Sequence, residues 1–143
     1  MSRARWLAGF AVVYLAAFAL LRSTSPVVRI AARRDEAARV AAASGLQVEE
    51  TLALLDLAGP RLGETEWLAL AQEAAAAAAR HGDLGLGVAA ALGHGDLVRE
   101  LHGGAAPAEA RARLRARREG IVLARFDAMV ARYRALCAPP ERR

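Results

Sequence analysis

Residues 64–84, ETEWLALAQEAAAAAARHGDL, decide how the rest of the chain reads. Trp67, Leu70, Ala71, Ala74 and Ala78 recur at spacings of three and four, which places them on one side of an α-helix. Glu64 and Glu66 sit in its first turn, where the helix dipole favours negative charge. His81 ends it, Gly82 takes the left-handed conformation, Asp83 caps the next helix and Leu84 starts that helix's apolar face. The spacing predicts a helix over Glu64–His81.

The same punctuation extends both ways. Downstream, His-Gly-Asp-Leu recurs at 94–97 and is read identically. Between the copies, Leu84, Val88 and Leu92 share a face, while Gly85, Ala89 and Gly93 share a second, narrow enough for another helix backbone to approach. Gly103, Gly104 and Pro107 set off one long last helix over about 108–136. In it, Arg111, Arg113, Arg115, Arg117 and Arg118 lie all around the cylinder. Val122, Phe126, Met129, Val130, Tyr133, Leu136 and Cys137 then fall within about 120° of arc, a core-facing stripe. Upstream, Gly59-Pro60 ends a helix over 46–58 lined by Val48, Leu52 and Leu55, with Ser44-Gly45-Leu46-Gln47 as its capping box. Ser25 and Pro26 open a single helix to about Ser44, closed by Gly45.

Composition agrees with an all-α chain. Of 143 residues 37 are alanine, isoleucine occurs twice and aromatics make up 5%, which is poor material for a sheet. The length allows one domain, or a small domain with an appendage. We expect an all-α protein: one N-terminal transmembrane helix, then a small Ala-rich bundle of about five helices. The divisions are an anchor over 1–22, an acidic helical region over 23–104 and a basic, amphipathic C-terminal helix with a frayed tail over 105–143. Alanine faces bury little area, so the bundle should be thin, closely spaced and completed by a partner or a second copy.

The anchor is the run from Trp6 to Leu21, WLAGFAVVYLAAFALL, sixteen uncharged residues between Arg5 and Arg22. As a helix it spans about 24 Å, short of the ~30 Å hydrocarbon core. Arginines that extend toward the headgroups, and the uncharged 23–28 stretch, close the gap. A cleaved secretory signal is the competing reading, but Pro26 follows the best small-residue site, Ser23-Thr24-Ser25. A buried helix is the third. Counting Arg3 and Arg5 before the run against Arg22, Arg29, Arg33 and Arg34 after it leans toward a cytoplasmic C-terminal part.

The net charge of +5 hides three blocks: +6 over 1–34, −8 over 35–109 and +7 over 110–143. All 20 basic residues are arginine. The last block either folds against the acidic middle or binds something anionic outside. Headgroups, an acidic protein and nucleic acid all qualify, the last disfavoured by the lack of a stacking platform.

Chemistry is sparse. One cysteine, Cys137, excludes a disulfide framework within the chain. His81, His94 and His102 match no metal-binding spacing: His94 and His102 lie eight residues apart, about 80° around a continuous helix, but Gly95 and Asp96 break that helix between them. No phosphate loop or nucleophile elbow is present. We therefore expect no enzyme, no cofactor and no small-molecule substrate, but a membrane-anchored accessory, assembly or scaffolding subunit with a protein partner or self-association. The alternative is a tethered or secreted binding module whose arginine-rich helix recognises lipid headgroups or nucleic acid. Trp67, Arg111, Arg115, Arg118, Phe126 and Tyr133 are the expected contact residues.

Overall fold

The computed structural model describes residues 3–23 and 26–138, with side chains of the first helix described from 8 to 20. The elements are α1 (Arg3–Ser23), α2 (Pro26–Ala31), α3 (Arg34–Ser44), α4 (Val48–Ala58), α5 (Glu64–His81), α6 (Leu84–Ala89), α7 (Gly95–His102), α8 (Pro107–Arg115) and α9 (Ile121–Cys137). A kinked turn over Ala90–His94, broken at Gly93, joins α6 to α7, and a 3₁₀ turn over Arg118–Gly120 joins α8 to α9. The fold is all-helical.

The α5 reading holds at both ends. Gly82 closes the helix at φ 68°, and the Asp83 carboxylate accepts from the Leu86 N–H at 2.9 Å to cap α6. The second His-Gly-Asp-Leu copy behaves differently. Gly93 takes the positive φ of 103°, Gly95 is already helical and Asp96 is exposed inside the first turn of α7. The helical run from α6 ends at Leu92, so the first glycine after it takes the left-handed position.

Two expected helices are each broken. The helix expected over 26–44 turns at Ala32–Arg33. There the Arg33 guanidinium donates to the carbonyls of Leu62 (2.7 Å) and Pro60 (3.3 Å), pairs with Glu36 and lies 5.0 Å from the Trp67 ring centroid. One side chain thus fixes the α2–α3 corner against the loop before α5. The helix expected over 108–136 folds back at 116–120 instead, because Gly120 presses on the last turn of α8. A Cβ there would collide with the Leu114 carbonyl and meet the Arg115 Cα at 2.6 Å. The expected capping box also moves by one turn. Ser44 Oγ serves the α3 end, whereas Glu50 accepts from the Gln47 N–H at 2.9 Å to start α4. Ser25 and the tail from 139 onward lie outside the described residues.

Two cores result. The larger gathers Ile30, Val40, Leu52, Leu55, Trp67, Val88, Phe126 and Tyr133, where α4 packs on α9 and α5 on α3 and α6. The smaller joins Leu86, Val98, Leu101, Leu114 and Leu123, where α7 packs on α8. The α5–α6 contact is backbone on backbone: a Cβ on Gly87 would lie 2.5 Å from the Ala74 carbonyl oxygen and from the Ala78 nitrogen. Gly87, not the expected Gly85/Ala89/Gly93 face, is the point of closest approach, and the Ala74–Ala78 surface is used inside the fold.

None of the described side chains of α1 belongs to either core. Every residue from 8 to 20 is exposed, including Phe10, Val13, Leu15, Phe18 and Leu20. Among the described residues no helix is long and apolar enough to cross a membrane. The described apolar side chains span about 20 Å, against the ~30 Å of a hydrocarbon core. Trp6, Arg5 and Arg22, on which the expected span relied, have side chains outside the described residues. The transmembrane expectation therefore does not follow from the fold.

Candidate functional site

An open cleft of about 300 Å³ lies where the start of α6 meets α8 and α9. Its charged lining is Glu50, Asp83, Arg111, Asp127 and Arg134, over an apolar floor that includes Phe126 and Val130. The lining carries no hydroxyl, thiol or imidazole. Arg111 is the organiser. It donates to both Asp83 oxygens (3.0 and 3.1 Å) and to Asp127. Burial works against its charge, but the Asp127 and Asp83 carboxylates more than offset that, so its pKa goes up. Asp83 is doubly engaged, because the same carboxylate caps α6. The acidic middle and the basic end of the chain therefore meet here through one shared, half-buried ion-pair set.

This geometry sorts the six expected contact residues. Trp67 (0% exposed) and Tyr133 (0%) are core, and so is Phe126 (4%). They are packed inside rather than offered to a partner, because the indole N–H donates to the Thr51 carbonyl (3.0 Å) and the Tyr133 hydroxyl to Asp56 (2.8 Å). Burial and the Asp56 carboxylate both push the Tyr133 phenol well above its ordinary pKa. Arg111 is committed to the cleft. Only Arg115 and Arg118 remain exposed, and Arg115 reaches toward Asp127 at 3.9 Å. The expected α9 stripe is also adjusted: Leu123 is buried, and Leu136 is 56% exposed.

The histidines pair in an unexpected way. His81 at the end of α5 and His102 at the end of α7 bring their Nδ1 atoms to 2.9 Å, one ring donating and the other accepting. His94 instead precedes α7 at its N-cap position. Sequence spacing could not find this pair, because it depends on how α7 folds back over α5. Among the described residues no group of three or more His, Cys, Asp or Glu is placed to hold a metal ion. The His81 imidazole is held below its ordinary value near 6.5, first by burial and then by the charges of His102, Arg80 and Arg99. The unfolded chain therefore takes up protons more readily than the folded one. The pair supports the fold above about pH 6.5, and that support is lost as pH falls through the lower folded value. Urea midpoints are expected to fall on acidification from neutral pH toward 5, and to fall less in His81→Gln, which keeps a polar side chain but does not titrate. Parallel pH curves for the two proteins would contradict this account.

Two exposed surfaces remain. One is α1. The other is the outer side of the α8–α9 hairpin, where Arg117, Arg118, Arg125 and Arg132 are exposed. None of these four makes an ion pair among the described residues. Arg125 and Arg132 belong to the basic 110–143 block but are not among the expected contact residues, whose arginines all fall within 111–118. Their spacing of seven, matched to Ile121 four residues earlier, was the available signal. No protein-family model matches the chain, and neither a curated protein nor a solved structure matches it.

Proposed function

We propose that this protein is a non-catalytic accessory or assembly subunit held at a membrane by α1, with the α2–α9 bundle presented at the surface. The observation that carries the reading is α1, whose described side chains, residues 8–20, are all apolar and all exposed. Such a helix needs apolar surroundings. Taking Phe10, Val12, Val13, Tyr14, Leu15, Phe18 and Leu20 out of water is worth on the order of 10 kcal/mol. The backbone of α1 runs for 21 residues, about 31 Å, which is comparable to the hydrocarbon thickness of a bilayer. The non-catalytic part of the reading is supported by the cleft, where Arg111 is held between the carboxylates of Asp83 and Asp127.

The test is flotation of the full chain with phospholipid vesicles. Wild type is expected to float and to resist alkaline carbonate. Leu15→Arg places a charge at the middle of the apolar stretch, costing about 3 kcal/mol, roughly a hundredfold in partition. It should shift much of the protein to the soluble fraction while leaving the helical signal of the bundle intact. Equal flotation of both forms, or no flotation of wild type, would contradict the proposal.

A further inference from the structure

The α9 helix has two opposite faces. Leu123, Phe126 and Tyr133 are buried on one. On the other, Ile121, Arg125, Ala128, Arg132 and Leu136 fall within about 80° of arc at 3.6 residues per turn, and all five are exposed. Ile121 (63%) and Leu136 (56%) are large apolar side chains with no place in either core. They stand at the two ends of the row, with the guanidiniums of Arg125 and Arg132 between them and those of Arg117 and Arg118 in the preceding turn. No carboxylate lies in that arc.

A nucleic acid would engage the arginines but would leave the isoleucine and leucine in water, and an acidic protein would need apolar groups set at both ends of its carboxylates. The interface of an anionic bilayer accommodates both: aliphatic side chains at the acyl boundary, guanidiniums at the phosphates. A tethered domain also meets that surface at high effective concentration. We infer that this face of α9, with the arginine turn before it, docks on the anionic headgroups of the bilayer that α1 occupies. The inference rests on the membrane reading of α1 and adds a second, charge-dependent contact.

The experiment uses the full chain in vesicles carrying a lipid-attached quencher. A fluorophore is placed by Ala128→Cys in a Cys137→Ala background, and a control fluorophore by Ala69→Cys on the exposed side of α5 in the same background. Circular dichroism first checks that each variant is folded. In vesicles containing phosphatidylserine, the 128 label should be quenched several-fold more than the 69 label. Neutral phosphatidylcholine, high salt or the pair Arg125→Gln and Arg132→Gln should each abolish the difference, and Ile121→Ser with Leu136→Ser should reduce it. Equal quenching at 128 and 69, or no dependence on lipid charge or on the two arginines, overturns the inference. So does full displacement of the 128 signal by duplex DNA. Co-flotation, measured on the same samples, separates the two claims. A floating chain with a silent 128 label removes this inference alone, and loss of flotation removes both.

Discussion

Trp67→Ala is expected to remove most of the stability of the bundle. The indole is fully buried at the centre of the larger core, donates to the Thr51 carbonyl and lies beneath the guanidinium of Arg33. Truncating a buried tryptophan costs about 3–5 kcal/mol, from lost burial and the cavity left behind. A small domain holds only about 5–15 kcal/mol in total. The variant also leaves a buried carbonyl without its donor and frees Arg33 from the ring that holds the α2–α3 corner. Urea unfolding followed by circular dichroism should show a midpoint less than half that of wild type. Glu66→Ala, one residue earlier and exposed, should stay within about 0.5 kcal/mol. A Trp67→Ala shift below about 1 kcal/mol would restore the idea that this side chain serves a partner rather than the core.

The second large effect concerns a residue with no side chain. Within a helix, glycine to alanine ordinarily stabilises by up to about 1 kcal/mol. At Gly87 the sign should reverse, because the new methyl would lie 2.5 Å from the Ala74 carbonyl oxygen and the Ala78 nitrogen, and 2.8 Å from the Ala78 Cα. Backbone of a regular helix cannot rotate aside as a side chain can, so α6 must move off α5. Overpacking of this kind costs about 1–3 kcal/mol and occasionally more. The penalty should sit at the upper end, since α6 carries Leu86 into one core and Val88 into the other. Gly95 is the internal control. Its added Cβ would meet only the Ala90 carbonyl at 3.6 Å, and its backbone is helical at φ −58°. Gly95→Ala should be neutral or slightly stabilising. Thermal melts of the two variants should therefore move in opposite directions, and similar shifts would contradict the close α5–α6 contact.

Local chemistry made α5 legible. Its dipole partners, apolar period and Gly-Asp stop all act within a few residues, and the helix begins and ends where they say. The buried identity of Trp67 and Tyr133 was only half legible. Both were placed on apolar faces, yet aromatics on a helix face serve a core and a docking surface equally well until the neighbouring helices are known. The breaks at Arg33 and Gly120 were not legible at all. Nothing near Arg33 in sequence forbids a helix, and its turn is imposed by carbonyls 27 and 29 residues away. Gly120 interrupts the helical period, but its reason is the approach of Leu114 and Arg115 once the chain folds back. The same non-local logic hid the His81–His102 pair and the pairing of Arg111 with Asp83 and Asp127.

Burial of α1 in lipid can be read from its backbone amides. Hydrogen exchange of the full chain in phospholipid nanodiscs, followed by peptide mass spectrometry, compares residues 8–20 with the bundle. If the helix is shielded by lipid, its amides should resist exchange for hours, at least as long as those of α4 and α5. Exchange of residues 8–20 within seconds, while α4 and α5 remain protected, would mean that the helix lies in water and that the bundle is not tethered through it.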